Sequence, residues 1–312
     1  MNRNTRTVFC AGETVYDLIL RNGVPVSGIP GGSMVNTAVS LARAGVPVQL
    51  ITDFGKDQVG VLIDNFLTAN GVGTDHVDRF SDGKTALALA FLDSRQQAEY
   101  SFYKQFPSER LTLRWPLLQE EDILLFGSFY ALTMDIRKKL IPFIYESRER
   151  GATVLYDPNF RTEHLKELEQ LRPLILENIA LADLVRGSDE DFRYIFKAET
   201  GEEAFNRVCE AGAKVLIYTK NKGSVELYTP DDIRSYPVPP IEPVSTIGAG
   251  DNFNAGVIFS MILGGIGRSE LGKMKQEQWD GIIRSGISFS ANVCLRSDNY
   301  IDKAYGDSLR YP

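Results

Sequence analysis

The residues with the clearest chemical potential lie in the stretch Ser245–Gly256. Gly248, Ala249 and Gly250, which have almost no side chain, are followed directly by Asp251. Apolar residues then recur at helical spacing, which predicts a helix that begins near Gly248. The first turn of a helix has unpaired amide donors and the positive end of the helix dipole, and small residues let an anion reach them. The pattern is consistent with a phosphate cradle, with a carboxylate at its mouth that takes a proton from an attacking hydroxyl.

The same residues also have a purely structural interpretation. A glycine-rich loop can simply lead into a buried helix, with Asp251 as a first-turn partner of the helix dipole. Because short glycine motifs are common, this stretch alone does not decide between the two.

Thr246–Asp251, with Phe253 and Ala255-Gly256, resembles the C-terminal signature of the ribokinase-like (PfkB) sugar kinases, usually Asp-Thr-x-Gly-Ala-Gly-Asp. In that family the last Asp is the catalytic base and the Gly-Ala-Gly amides hold the transferring phosphate. The resemblance therefore implies that Asp251 is the base and that the Gly248–Gly250 amides bind phosphate.

One position of this signature differs. Ser245 stands where the family has an Asp that belongs to a monovalent-cation site. The resemblance therefore does not carry a potassium requirement over to this chain.

Two polar residues lie near the end of the first predicted strand and near the start of the first predicted helix. Asp17 lies just beyond the predicted strand Thr7–Ala11, and Asn36 lies in the first turns of a helix predicted to end near Gly45. Ligands of open α/β sheets bind beyond the carboxyl ends of the strands, so both residues are candidates for a binding site. The alternatives are a turn residue for Asp17 and an exposed helix residue for Asn36.

A second resemblance concerns these residues. Gly12-Glu13 with Asp17, and Gly31-Gly32 with Asn36, are similar to the N-terminal signature of the same family, in the spelling of its fructokinase branch. There the matching Asp, second Gly and Asn hydrogen-bond sugar hydroxyls. The resemblance implies that Asp17, Gly32 and Asn36 bind the sugar, a task that suits carboxylate and amide groups.

Two further stretches resemble this family on the phosphate side. Asp157–Arg161 is similar to a stretch of the fructokinase and 2-keto-3-deoxygluconate kinase branches, and the planar fork of Arg161 suits phosphate oxygens. The alternative is that Arg161 is a surface arginine. Ser188–Asp191 stands where the family has Asn-x-x-Glu, which acts on Mg²⁺ through water, so the resemblance implies this role for Asp191, or for Glu190 in its place.

The nucleotide side resembles the family least. Of the usual Thr-x-Gly-x-x-Gly loop the chain keeps only Gly223, while Lys220 and Lys222 supply positive charge for phosphates. Asn292 stands in the region of the adenine site, where it either contacts adenine or faces solvent. These residues are the expected ATP contacts.

Two alternating segments, Lys84–Phe91 and Glu99–Lys104, predict half-buried strands joined by a turn at Asp93–Arg95. With the strand Thr14–Leu20 they predict a small antiparallel sheet. In the family such a sheet is a lid over the sugar and often a dimer contact, with strands here from about 13–30 and 84–105. Phe102 either lines the inner face of this lid or belongs to its core.

From Ile123 onward short apolar runs alternate with helical periodicity, which predicts a mostly parallel sheet with helices on both faces. The resemblance implies the same: a ribokinase-like three-layer α/β/α domain over residues 1–312, with a small β-sheet lid. In the predicted helix Gln58–Ala69, Val61, Leu62 and Phe66 are expected to face inward. The other predicted elements are the strands Val48–Thr52, Ile123–Phe126, Ala152–Tyr156, Ala182–Val185 and Lys214–Tyr218, and the helices Met134–Arg150 and Glu202–Ala211.

The composition is that of an ordinary globular protein, with 43% hydrophobic and 24% charged residues among 312 and a net charge of -7. No Lys/Arg-rich run appears, so nucleic acid is not an expected partner. No apolar run is long enough for a membrane span. The apolar run Val8–Gly12 is too short for a signal peptide, so none is expected. The three cysteines share no metal-like spacing and suit a cytoplasmic protein.

These observations lead to one expected function. It is the ATP- and Mg²⁺-dependent phosphorylation of a sugar hydroxyl, most like that of fructokinase. Ribokinase, 2-keto-3-deoxygluconate kinase and nucleoside kinase activities are the alternatives among enzymes. The alternative outside enzymes is a sugar-binding protein without catalysis, which the altered loop near Gly223 favours and the intact Asp251 opposes.

Overall fold

A computed structural model describes residues 6–92, 98–220 and 223–310 of the chain. The turn predicted at Asp93–Arg95 and the side chain of Lys222 lie outside this part. In the described residues, thirteen strands form two sheets. The strands are β1 (Val8–Ala11), β2 (Val15–Arg21), β3 (Val24–Gly31), β4 (Val48–Gly55), β5 (Val77–Phe80), β6 (Lys84–Leu92), β7 (Ala98–Gln105), β8 (Ile123–Gly127), β9 (Thr153–Asp157), β10 (Leu184–Ser188), β11 (Leu216–Thr219), β12 (Ser224–Tyr228) and β13 (Ile233–Pro237).

The larger sheet has the strand order β13-β12-β11-β10-β9-β8-β1-β4-β5. The strands from β11 to β5 in this order run parallel, whereas β12 and β13 are added antiparallel at one edge. The prediction of a mostly parallel central sheet is confirmed. Because the carboxyl ends of parallel strands meet at one edge, the residues that follow β1, β8, β9, β10 and β11 lie along the same edge.

Helices cover both faces of this sheet, and each face has its own apolar core. One core contains residues of α1, α2, α7, α8 and α9, with α10 packed against it; the other contains residues of α3 to α6. No helix in the described ranges is both long and apolar enough to span a membrane. The helices are α1 (Ser33–Arg43), α2 (Gln58–Ala69), α3 (Met134–Glu149), α4 (Leu168–Leu181), α5 (Asp189–Phe196), α6 (Gly201–Ala211), α7 (Ala249–Leu263), α8 (Arg268–Leu271), α9 (Gln276–Cys294) and α10 (Lys303–Leu309), with 3₁₀ turns at Phe129–Leu132 and Thr162–Glu167.

The smaller sheet has the order β3-β2-β6-β7 and is mixed. β2 pairs antiparallel with β3 through the turn at Asn22-Gly23, whose positive φ angles of 51° and 75° match a two-residue hairpin. β2 pairs parallel with β6, so the prediction of an antiparallel sheet is wrong for this pair. β6 follows β2 only after a long crossover through α1, β4, α2 and β5, and such connections allow parallel pairing.

Helix α2 has the predicted bounds but a different buried face. Ile63 and Leu67 are buried, whereas Val61 and Leu62 are about half exposed, at 47% and 52%. The expectation that Val61 and Leu62 face inward is therefore wrong. The buried face instead contains Gly60, which packs so closely on the Gly55 carbonyl that no side chain fits there.

Candidate active site

The stretch predicted to be a phosphate cradle forms the first turn of α7. Gly248 precedes the helix with a left-handed φ of 77°, and a Cβ at this position would lie 2.8 Å from the Asn299 carbonyl oxygen. The amide of Ala249 donates to the Thr246 carbonyl at 3.2 Å. The amides of Gly250 and Asp251 have no acceptor within the described residues, so this helix start offers two free donors to an anion.

Helix α1 holds this turn from the side. Asn36 donates through Nδ2 to the Asp251 carboxylate at 2.8 Å, and Thr37 donates through its hydroxyl to the Asp251 carbonyl at 2.9 Å. One turn further along, Ser40 hydrogen-bonds Asn252. The predicted sugar-binding Asn36 and the predicted base Asp251 are thus in direct contact.

The environment of Asp251 moves its titration toward neutral pH. Burial raises the pKa of this half-buried carboxyl to about 6, and the negative charge of Asp157 acts in the same direction. The Asn36 amide and the positive charges of Arg161 and Arg186 oppose this rise. A carboxylate with such a pKa is ionised at pH 7 and still accepts a proton readily, which is the requirement for a general base.

Asp17 lies on β2 beside the junction between the smaller sheet and α1. Its carboxylate packs against Gly31, where any added Cβ would overlap it. Burial first, and the nearby Glu13 second, raise the pKa of Asp17 to about 6. The Asp17 carboxylate accepts no hydrogen bond from the rest of the described chain, so it is available to a ligand with hydroxyl groups.

Gly32 connects this carboxylate to the helix that carries Asn36. It is the residue before α1, its φ is 122°, and an added Cβ would overlap the Glu13 carbonyl oxygen. Asn36 itself is buried, and its Oδ1 has no donor in the part of the chain that the structure describes. Asp17, Gly32 and Asn36 therefore form one continuous surface that ends at Asp251.

The stretch after β9 brings Asp157 and Arg161 to the same edge of the sheet. Asp157 is buried and accepts from Asn254 at 2.7 Å and from Arg186 at 3.0 Å. Arg161 is exposed, its side chain forms no hydrogen bond with the described residues, and its charge is near enough to lower the pKa of Asp251. It is therefore free to meet an anion at this edge.

Asp191 has a structural task in this loop. Its Oδ1 accepts from the Phe160 amide at 2.7 Å, and its Oδ2 accepts from the amide and hydroxyl of Ser188 at 2.7 and 2.6 Å. Burial and the charge of Asp157 raise the pKa of Asp191. Glu190 is exposed, 3.7 Å from Arg193. The role of either residue at Mg²⁺ stays a prediction.

The predicted nucleotide contacts lie in two separate parts of the chain, and two of them already bond other residues of the protein. Lys220 pairs with Glu226 on the neighbouring strand, and Gly223 lies exposed in the β11–β12 turn with a φ of 131°. Asn292 accepts from the Asp302 amide at 3.0 Å through Oδ1. Their contact with ATP stays a prediction.

On the smaller sheet, Phe102 is 50% exposed and lies 5.1 Å from the Lys104 ammonium. The alternative that Phe102 belongs to a buried core of this sheet is therefore wrong. Its contact with a sugar stays a prediction.

The order of these elements and the two signatures correspond to one sequence family. The profile of the pfkB family carbohydrate kinases matches residues 5–269. The chain belongs to this family. A relative, the probable chloroplastic fructokinase-6 of Arabidopsis thaliana, is 27% identical over 301 residues, which are 92% of this chain and 76% of the plant protein.

Solved structures of other kinases share the fold. The fructokinase of Xylella fastidiosa with bound ATP superposes with a TM-score of 0.86 at 24% identity and covers 98% of both chains. The aminoimidazole riboside kinase of Salmonella enterica superposes with a TM-score of 0.83 at 21% identity, covering 97% of this chain and 98% of its own. Two kinases with different acceptors are thus about equally similar, so the fold alone does not identify the sugar.

Three residues of this pfkB kinase join the site although no motif points to them. Thr37 and Asn254 hold the first turn of α7 and the end of β9, and Arg186 lies between Asp157 and Thr219. The sequence contains one signal for Arg186, which is a charge inside the otherwise apolar strand β10. Asn252 and Asn254 are likewise polar positions within a helix whose neighbouring residues are buried.

Proposed function

We propose that this pfkB kinase transfers the terminal phosphate of ATP to a hydroxyl of a sugar, and that fructose is its substrate. The observation that carries this proposal is the 2.8 Å hydrogen bond between Asn36 and Asp251, beside the two free amides of α7. It joins a hydroxyl-binding surface to a base and a phosphate site. The Arabidopsis relative and the fructokinase of Rhizobium leguminosarum bv. trifolii, 26% identical over 262 residues, support fructose as the acceptor.

In this proposal the sugar lies on the surface formed by Asp17, Gly32 and Asn36. One hydroxyl points at Asp251, which takes its proton as the oxygen attacks the terminal phosphorus and the bond from that phosphorus to the bridging oxygen breaks, so that ADP leaves. The amides of Gly250 and Asp251 and the guanidinium of Arg161 face the charge that develops on the transferred group. Catalysis then depends mainly on positioning and electrostatics, as is general for phosphoryl transfer.

The acidic residues at this edge suit a Mg²⁺ ion that is carried by the nucleotide. Within the described residues, no group of three or more His, Cys, Asp or Glu side chains could hold a metal by itself. Magnesium keeps several waters and is often bound by substrate phosphates with one or two carboxylates. The exposed Glu190 would hold its waters, and the ion would neutralise phosphate charge. Asp191 is less suited to this, because it is buried and both of its oxygens already accept hydrogen bonds from Phe160 and Ser188.

The test of this function is ATP consumption with a panel of acceptors. Fructose, ribose, 2-keto-3-deoxygluconate and a nucleoside are compared at equal concentrations with purified protein. Fructose is expected to give the highest kcat/KM, and a higher value with another acceptor would replace fructose by that acceptor. Sugar binding by calorimetry without ADP formation from any acceptor would instead support the binding protein without catalysis.

Alanine at Asp17 or Asn36 is expected to weaken sugar binding more than ATP binding. Each variant loses a hydrogen bond to a neutral hydroxyl, which costs about 0.5–1.5 kcal/mol and more where a buried partner is left unpaired. Calorimetric Kd values for fructose and for an ATP analogue measure both effects. Asn178→Ala is the control, since Asn178 is equally buried but bonds Arg137 on the opposite face. Unchanged fructose affinity in both site variants would contradict the assignment.

Potassium is expected to activate the wild-type protein only weakly. The Ser245 hydroxyl accepts from the Ile247 amide at 3.2 Å, so it serves its own loop and adds no charge to a cation shell. A carboxylate restores that charge, and contact attraction of about 1 kcal/mol or more corresponds to roughly fivefold tighter potassium binding in Ser245→Asp. The measurement is kcat and KM in sodium, potassium and tetramethylammonium at matched ionic strength.

The control for this variant is Ser269→Asp, which adds the same charge at an exposed position of helix α8. It is expected to leave the potassium response as in the wild type. Strong, saturable activation of the wild-type protein by potassium would show that Ser245 does not disable the site.

The same proposal gives a role to the smaller sheet. We infer that residues 1–312 form one kinase domain in which this sheet is a lid over the sugar. Its exposed apolar side chains, such as Val24, Val26 and Phe91, support a homodimer contact through the lid. The three unpaired cysteines support a cytoplasmic location.

A further inference from the structure

Arg186 spans three neighbouring strand ends at the edge where the candidate site lies. It belongs to β10, and its Nη1 donates to Asp157 at the end of β9 at 3.0 Å. Its Nη2 donates to the Thr219 hydroxyl at the end of β11 at 2.8 Å. The guanidinium therefore connects the loop that carries Arg161 with the strand that leads to the predicted nucleotide loop.

The same guanidinium lies against the first turn of α7. A Cβ built on Gly250 would be 2.7 Å from Nη1 and 3.0 Å from Nη2 of Arg186. Its central carbon is 5.7 Å from the centre of the Phe253 ring. A side chain at position 250 would displace the guanidinium, so glycine here allows Arg186 to lie directly against the helix.

Asp157 closes a network around this contact. Its Oδ2 accepts from Arg186 and also from Asn254, one turn beyond Gly250 on α7, at 2.7 Å. Arg186 and Asp157 are both largely buried, with 12% and 3% of their side chains exposed. A buried, hydrogen-bonded charge pair of this kind is costly to break and fixes its neighbours in one arrangement.

We propose that Arg186 is a positioning residue for phosphoryl transfer, which holds the first turn of α7 so that the amides of Gly250 and Asp251 meet the transferring phosphate and the Asp251 carboxylate meets the attacking hydroxyl. The inference depends on the proposed kinase function. Arg186 acts through Gly250 and Asp251, whose orientation it sets. It also acts through Thr219, which connects the guanidinium to β11, the strand that leads to the predicted nucleotide loop. The positive charge behind the free amides also favours the negative charge that develops in the transition state.

The chemistry requires an arginine. Its planar fork makes two directed bonds, to Asp157 and to Thr219, while its face packs on Gly250. A lysine ammonium brings the charge but is a single point on a flexible chain, so it cannot keep both bonds and the packing. The conservative substitution is therefore expected to recover only part of the function.

The experiment compares Arg186→Met and Arg186→Lys with wild type, using ATP and the best acceptor of the sugar panel. Arg186→Met is expected to lose roughly 10²–10³ in kcat, the scale for loss of one oriented transition-state donor, while both KM values stay within about threefold. The kcat of Arg186→Lys is expected to lie between those of the wild type and Arg186→Met. The matched control is Arg268→Met. Arg268 donates to Asp183 at 3.0 Å, and Asp183 directly precedes β10, at the end of the strand that lies away from the site. The kcat of this control should equal that of the wild type.

Thr219→Val is a second variant that leaves the Arg186–Asp157 pair in place. It removes one anchor of the guanidinium and is expected to lower kcat by a smaller factor at unchanged melting temperature. If Arg186→Met does not fold, this variant decides the question, and a wild-type kcat in Thr219→Val overturns the proposal.

Two further results would overturn it. One is a near-wild-type kcat in Arg186→Met. The other is a loss of activity that only follows the loss of folded protein, with Arg186→Lys no better than Arg186→Met. If wild type itself consumes no ATP with any acceptor, the proposed function fails, and this inference fails with it; activity in wild type together with an unaffected Arg186→Met overturns the inference alone.

Discussion

Asp251→Asn is expected to lower kcat by roughly 10²–10⁴, the usual contribution of a general base. The amide has nearly the same shape as the carboxylate, so Asn36 and Thr37 can still hold the first turn of α7. What the variant loses is the ability to take a proton from the attacking hydroxyl. The affinities for sugar and ATP should therefore stay close to wild type, and steady-state kinetics with calorimetry measures both quantities.

The pH dependence of the same variant gives an independent check. Burial raises the pKa of Asp251 to about 6, so kcat of the wild type should fall as the pH drops below 6, because the protonated carboxyl cannot act as a base. This acid limb should be absent from the residual activity of Asp251→Asn. Asp280→Asn makes the same chemical change on α9, where Asp280 bonds Arg234 and Tyr236, and should leave the profile intact. A near-wild-type kcat in Asp251→Asn would show that the base lies elsewhere.

Much of the fold can be predicted from sequence periodicity because the buried segments are short and uninterrupted. The runs Ile123–Phe126 and Val154–Tyr156 are both apolar, and both lie in strands of the parallel sheet. Helix α2 shows the limit of this approach. Its bounds follow from local signals such as the Asp57 cap, but its buried face depends on how closely Gly60 approaches Gly55, which is a tertiary contact.

The candidate site divides in the same way. Asp251, Asp17 and Asn36 each lie in a short motif that resembles a family signature, so the resemblance suffices to propose them. Arg186 becomes part of the site only through the register of β10 between β9 and β11, which places its side chain between Asp157 and Thr219. The charge inside β10 marks Arg186 as unusual, but no local pattern shows which distant strand neighbours it meets, and so its place in the site cannot be predicted from the sequence.

Gly32→Ala is expected to lower kcat/KM for the sugar by roughly 10², the scale of a misplacement of about 1 Å in a reacting site. Gly32 has a φ of 122°, and an added Cβ would overlap the backbone carbonyl of Glu13, which cannot move away as a side-chain end could. The junction between β3 and α1 must move away from the backbone of Glu13 to admit the methyl group. That movement shifts Asn36 relative to Asp17, so the two predicted sugar contacts no longer match one ligand.

Gly23→Ala separates backbone strain from this displacement. Gly23 is in the same sheet, at the β2–β3 turn, with a φ of 75° and no atom within 4 Å of an added Cβ. It should therefore carry the cost of a left-handed alanine, of the order of 1 kcal/mol in stability, and leave kcat/KM unchanged. Thermal unfolding and sugar kinetics on both variants give the comparison. Equal kcat/KM in Gly32→Ala and Gly23→Ala would show that the Gly32 junction does not position the sugar site.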